Sequence, residues 1–174
     1  MIQDLRRVFG TETADCLTET NDTKIEIFDC YDCAAAQQKS YIKAREEQPV
    51  HFTLENPTAA TLAFAALDNC LLRSDNESRC DFFIGNSRKL YFVEIKQVKS
   101  NQRSAARANA IKQLDSSISL LKDKIDLQNT SLIAVVCLKA KQVYPLQSAK
   151  RAADIVAFKE THNADLMEGQ SHTF

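Results

Sequence analysis

Residues 80–97, CDFFIGNSRKLYFVEIKQ, decide how this chain of 174 residues folds. They read as two apolar strands joined by a tight turn at Gly85-Asn86, with Asp81 opening the first and Glu94-Ile95-Lys96 near the end of the second. Side chains alternate along a strand, so Glu94 and Lys96 share one face while Tyr91, Val93 and Ile95 share the other. Folding the first strand back on the second brings Asp81 alongside Glu94. Charged groups on strands this apolar are costly to bury unless they pair or hold a metal. Two carboxylates and an ammonium gathered at one point of a sheet make a site for a divalent metal and its activated water.

Working outward, residues 104–125 carry Ile111, Leu114, Ile118, Leu121 and Ile125 at three- and four-residue spacing, the stripe of an amphipathic helix. Residues 132–138, LIAVVCL, form a continuous apolar run suited to a strand buried on both faces. Strand, strand, helix and strand in that order predict an α/β core with the helix crossing over the sheet. Upstream, 24–29 alternates as a half-buried strand, 34–47 (AAAQQKSYIKAREE) has the composition of a helix, and 50–54 reads as a strand closed by Asn56-Pro57. Alanine makes 58–72 ambiguous; a strand is expected at 67–72, with the first half left open. A short helix is expected at the N-terminus, with Ile2, Leu5, Val8 and Phe9 on one side. Another is expected at 149–159, with Ala152, Ile155, Val156 and Phe158 available for packing. The expected organisation is one domain over 1–174: an acidic extension at 1–57, a core at 58–161, and a polar, peripheral tail at 162–174.

With 44% hydrophobic and 26% charged residues the composition is that of an ordinary globular protein, with no apolar run long enough to cross a bilayer. Charges at Asp4, Arg6 and Arg7 disfavour a secretory signal. The six cysteines are expected to be reduced thiols of a cytoplasmic protein, and Cys30-Tyr31-Asp32-Cys33 alone supplies only half of a zinc site. His51, His162 and His172 are too scattered for a nucleophile–base pair. Only three glycines are present and none forms a phosphate-binding loop, so ATP hydrolysis would need a separate partner. The net charge of −1 hides an asymmetry. Asp15, Glu19, Asp22, Glu26, Asp29 and Asp32 crowd the N-terminal third, whereas no acid occurs from Lys96 to Lys112. Lys99, Arg103, Arg107 and Lys112 lie in that basic run and are expected to contact nucleic-acid phosphate. Positive charge at a helix N-terminus gains nothing from the helix dipole, which strengthens that reading.

Asp81 on one strand and Glu94-Ile95-Lys96 on the next resemble the PD-(D/E)xK nuclease superfamily, with Cys80 where the name-giving proline stands. The resemblance extends more loosely over 68–138. It implies a restriction-endonuclease-like core, a central mixed β-sheet flanked by helices. It also implies hydrolysis of phosphodiester bonds with Mg²⁺ or Mn²⁺, of DNA rather than RNA, in defence or repair. Asp81, Glu94 and the Ile95 carbonyl would hold the metal, and Lys96 would orient the attacking water or stabilise phosphoryl charge. A further upstream acid is implied, with Asp68 first, Glu77 second and Glu55 third, and Gln113 is an accessory candidate. Two-strand cutting would suggest a homodimer. The other reading is a non-catalytic module on the same fold that binds nucleic acid or protein as a subunit of a larger complex.

Overall fold

The structure, a computed structural model, describes residues 1–10, 15–34, 37–72, 78–98, 100–139 and 149–174. Helix α1 (Ile2–Phe9) precedes strands β1 (Leu17–Thr20), β2 (Lys24–Asp29), β3 (Ser40–Ile42), β4 (Phe52–Glu55), β5 (Leu62–Ala66), β6 (Phe82–Gly85) and β7 (Lys89–Gln97). Then come α2 (Arg103–Lys124), β8 (Ser131–Lys139), α3 (Ala149–His162), β9 (Ala164–Glu168) and β10 (Ser171–Thr173). The fold is α/β, with a mixed central sheet flanked by helices.

The larger sheet has the order β1-β5-β6-β7-β8-β9. Its first four strands pair antiparallel, while β7–β8 and β8–β9 are parallel. Parallel neighbours need a crossover, and α2 and α3 supply one each. The expected turn joins β6 to β7; a side chain at Gly85 would overlap the Lys89 carbonyl oxygen, so only glycine fits there. The β8 run is buried from Leu132 to Leu138, as a central parallel strand should be. Helix α2 turns Ala110, Leu114, Ile118 and Leu121 inward. It is pinned to the start of β6 by the buried Ser117, whose hydroxyl accepts the Cys80 N–H at 2.7 Å and donates to the Gln113 carbonyl at 2.8 Å.

A second sheet, β10-β4-β2-β3, packs on the first. Alternation in β6 sends Phe82 toward it, edge-on to Phe52 of β4 at 5.6 Å, and Phe83 the other way, against Phe92 at 5.8 Å. The Tyr91 hydroxyl donates to the Thr173 carbonyl at 2.7 Å, and the Cys137 thiol to the His51 carbonyl at 3.2 Å.

Several expectations fail for identifiable reasons. No α-helix forms among the described residues of 34–47; Ser40–Ile42 is instead strand β3, because Asp29↔Ser40 and Ile27↔Ile42 pairing and the Phe28–Tyr41 stack outweigh local helix propensity. The strand expected at 67–72 lies earlier, at Leu62–Ala66, whose five residues are all buried. Residues 67–72 form a turn instead, with Asn69 in the left-handed conformation (φ 55°). The tail is not peripheral: β9 extends the large sheet and β10 the small one. On α3, Phe158 is buried, but Ile155 and Val156 are 46% and 55% exposed. Nor are all the cysteines free thiols, since Cys16 is bonded to Cys70 and Cys30 to Cys33. The β1–β5 pairing brings Cys16 beside the turn that holds Cys70, a proximity invisible in a separation of 54 residues. Among the described residues, no helix is long and apolar enough to cross a membrane.

Replacing Ser117 with alanine strands the buried Cys80 N–H. Unfolding in urea should show a loss of about 1–3 kcal/mol; no change would mean that α2 does not depend on this anchor.

Candidate active site

The Phe82↔Val93 register carries on by one residue to set Asp81 opposite Glu94. Each acid grips the backbone of the other's strand segment. The Asp81 N–H donates to Glu94 Oε2 at 3.0 Å, and the Ile95 N–H donates to Asp81 Oδ2 at 2.6 Å. Glu94 has no exposed surface, and its Oε1 forms an ion pair with Lys96, whose side chain keeps 27% exposure. The trio expected from the strand pattern is therefore assembled, at the end of β7 where the chain leaves the sheet for α2.

A third acid joins from the other sheet. Asp29 ends β2, accepts the Ser40 hydroxyl at 3.2 Å, and donates its N–H to His51 Nδ1 at 3.1 Å. Asp29, Asp68 and Asp81 line one cleft of about 200 Å³, which Tyr31, Lys39 and Asn69 also border.

Burial dominates the electrostatics. It lifts the Asp81 carboxyl well above the usual carboxylate range, with Glu94 and Asp29 adding repulsion against the pull of the Ile95 N–H and Lys96. Burial likewise lifts Glu94, to about 7, even though Lys96 opposes the rise. Asp29 is raised by burial and by Asp68. Burial pulls Lys96 down, but Glu94, Asp81 and Asp68 outweigh it and leave the ammonium more firmly protonated than usual. Raised carboxyls beside a firmly protonated lysine mark acids crowded together out of water. The Cys80 and Cys137 thiols are pushed up by burial, Cys137 to about 12, so neither supplies a thiolate nucleophile. Burial lowers His51, consistent with a neutral ring accepting through Nδ1.

The remaining expected residues scatter. Asp68 lines the cleft and accepts the Asn69 amide at 3.2 Å. Glu55 sits in β4 opposite Lys24 and away from the cleft. Glu77 and Lys99 lie outside the described residues. Gln113 donates to the Arg79 carbonyl at 2.7 Å and so braces the approach to β6 rather than the acids. Arg107 is half-buried in ion pairs with Asp154 of α3 and Glu168 of β9, so it joins elements instead of facing phosphate. Lys112 is exposed on α2, and Arg103 begins that helix. Asp29 escaped the sequence reading, because within an acid-rich run nothing distinguishes it from its neighbours. The one available signal was its place at the end of the KIEIFD alternation. No family model, curated protein or solved structure matches this chain.

Glu94 titrates near 7 in the fold against an ordinary 4.5. A raised carboxyl stabilises the fold while protonated, a contribution complete below about pH 4.5 and lost as pH rises through about 7. Asp81 and Asp29 act in the same sense, whereas His51 and His172, lowered by burial, act in the opposite one. Comparison with Glu94→Gln isolates the Glu94 contribution, since glutamine retains an acceptor for the Asp81 N–H. Without divalent ions, the variant's melting temperature should rise relative to wild type as pH increases through that window. A difference independent of pH would refute the raised carboxyl.

Proposed function

We propose that this chain is a metal-dependent phosphodiesterase of the PD-(D/E)xK kind, built on a restriction-endonuclease-like core and acting on nucleic acid, DNA in preference to RNA. The observation that carries the reading is the convergence of Asp81 and Glu94, joined by the Asp81 N–H to Glu94 bond and the Ile95 N–H to Asp81 bond, with Lys96 paired to Glu94 and the cleft bordered by Asp81. A structural ion pair would be satisfied by one acid and one lysine. Here two acids and a lysine converge, and Asp29 and Asp68 bring two more carboxyls to the same cleft.

The residues suit a hard divalent cation. Among the described residues no three His, Cys, Asp or Glu side chains form a ready-made metal cage, but Mg²⁺ binds through one or two carboxylates and keeps several waters. Each carboxylate commits one oxygen to a backbone N–H, Asp81 Oδ2 and Glu94 Oε2. Asp81, Glu94 and the Ile95 carbonyl would hold Mg²⁺ or Mn²⁺, which when bound lowers the pKa of a water and polarises the phosphate. Lys96, kept protonated by its acidic neighbours, orients the attacking water and stabilises charge growing on the phosphoryl oxygens. Asp29 takes the part of the additional acid, and its hydrogen bond from Ser40 fixes its direction. Asp68 flanks it at the cleft wall. Lys112, exposed on α2, and Arg103, at the start of that helix, are the cations proposed to meet the substrate backbone.

Cutting both strands would call for two copies of the chain, and any ATP-driven step for a separate partner, as in a defence or repair assembly in the cytoplasm. The engagement of Arg107 by Asp154 and Glu168 favours a second reading, a binding module within a larger complex, because it removes a cation from the substrate face.

Plasmid, linear duplex, single-stranded DNA and RNA incubated with Mg²⁺ or Mn²⁺ test the reading. Wild type should cleave DNA, and Lys96→Ala should lose about 10²–10³-fold in rate. Asp29→Asn should lose roughly 10–100-fold, with weaker metal affinity. Folded protein that binds Mn²⁺ yet cleaves none of the four would transfer the assignment to the binding module.

A further inference from the structure

The Cys30-Tyr31-Asp32-Cys33 motif takes no part in the proposed chemistry, yet its position is specific. Cys30 directly follows Asp29, and the two cysteines are joined across the tip of the β2–β3 hairpin. Tyr31, inside this small ring, donates its hydroxyl to Gln97 Oε1 at 2.9 Å, at the end of the strand that carries Glu94 and Lys96. Gln97 in turn lies 3.5 Å from the ring of His51, the same ring that accepts the Asp29 N–H. Asp29 and Tyr31 both border the cleft. The disulfide therefore closes a circuit from Asp29 through Tyr31 to Gln97 and back through His51.

Two disulfides flank the cleft, and they differ in access. Cys16 and Cys70 are 3% and 4% exposed, whereas Cys30 and Cys33 are only half-buried beside the exposed Tyr31 and Asp32. Exchange needs a thiolate to reach a sulfur, so access separates a structural bridge from a labile one. Among the described residues the tip is tied by the Cys30 N–H to the Lys39 carbonyl at 3.1 Å, the Cys33 N–H to the Cys30 carbonyl at 3.4 Å, the Gln37 N–H to the Ala34 carbonyl at 2.7 Å, the Lys39 N–H to the Gln37 carbonyl at 3.0 Å, and the Gln38 amide to the Cys33 carbonyl at 3.1 Å. The covalent link adds to these bonds by closing the segment from Cys30 to Cys33 into a ring.

We infer that Cys30–Cys33 is a thiol–disulfide exchange site, reduced by a dithiol, whose state sets how firmly the hairpin tip holds Asp29 and Tyr31 at the cleft. One thiolate of the dithiol attacks a sulfur of the bridge; the S–S bond breaks, the other cysteine leaves as a thiolate, and a mixed disulfide forms. The dithiol's second thiol then displaces the first cysteine. The dithiol is oxidised to a cyclic disulfide, two electrons pass to the protein, and both cysteines end as thiols. Cys16–Cys70 stays closed under the same treatment. The effect on cleavage rests on the phosphodiesterase reading; the exchange itself does not.

The experiment treats the full chain with a small dithiol, traps thiols by alkylation, and maps them by mass spectrometry, with amide exchange measured on the same samples. Cys30 and Cys33 should become alkylated before Cys16 and Cys70, and the amides of Cys30, Cys33 and Lys39 should exchange roughly tenfold faster once the bridge is open. The Cys30→Ser/Cys33→Ser double variant should exchange like the reduced protein and no longer respond to dithiol. Where wild type cleaves DNA, reduction should slow it about as much as the double substitution does. Equal or earlier alkylation of Cys16 and Cys70, or unchanged amide exchange at the tip, overturns the proposal. A protein inactive in both states removes the phosphodiesterase reading and leaves the exchange result to decide this one.

Discussion

A glutamate with no contact to solvent must be held by something, and in this protein the surrounding sheet is arranged to hold Glu94. One oxygen takes the N–H of Asp81, and the other faces the ammonium of Lys96. Asp81 is held by the same means, through the N–H of Ile95. Because the donors are backbone groups of paired strands, the acids inherit the rigidity of the sheet and are not held by flexible side chains. Removing one member leaves another charge buried without its partner, which costs far more than the pair contributes. The phenylalanines of β6 and β7 and the unbroken apolar run of β8 exclude water around this point, and so make its charges matter.

The small sheet gives the site its other wall. Ile25, Ile27, Phe52 and Leu54 are essentially buried in the core they share with the larger sheet, so the small sheet is fastened to it by packing. Its last strand comes from the C-terminus: β10 lies parallel to β4, the Phe174 N–H reaches the Glu55 carbonyl at 2.8 Å, and Lys89 and Tyr91 both donate to the Thr173 carbonyl. The segment 171–174 thus braces the sheet that delivers Asp29, although its sequence reads as a polar, peripheral tail.

Residues 80–138 were legible because their signals are local: alternation around a turn, a helical stripe, and a run apolar on both faces. What escaped depends on contacts made far along the chain. Helix formers at 34–47 give way because Ser40 and Ile42 find partners in β2. LAFAA shows no alternation because both of its faces are covered, and its alanines point toward helix. Cys16 and Cys70 meet only after β1 pairs with β5. Within the site, Asp81, Glu94 and Lys96 share one hairpin and could be read together, while Asp29 arrives from a different sheet and is marked by no spacing. Arg107 was misjudged for a related reason, since its partners Asp154 and Glu168 lie on elements about fifty residues away.

The loss of Arg107 from the basic run has a consequence for how a polyanion would approach. Asp29, Asp68, Asp81 and Glu94 stand together against Lys96 and the cleft-lining Lys39, so a phosphate meets net repulsion where the chemistry would occur. Protonation relieves part of it, since burial raises Asp29, Asp81 and Glu94, but a protonated carboxyl is also a poor ligand for a hard cation. On the proposed reading, cation and substrate are then interdependent: the acids bind a divalent ion well only when ionised, and when ionised they admit a phosphodiester only with that ion in place. An acidic cleft is thus compatible with a nucleic-acid substrate, provided that attraction is generated at the site and not across the surface.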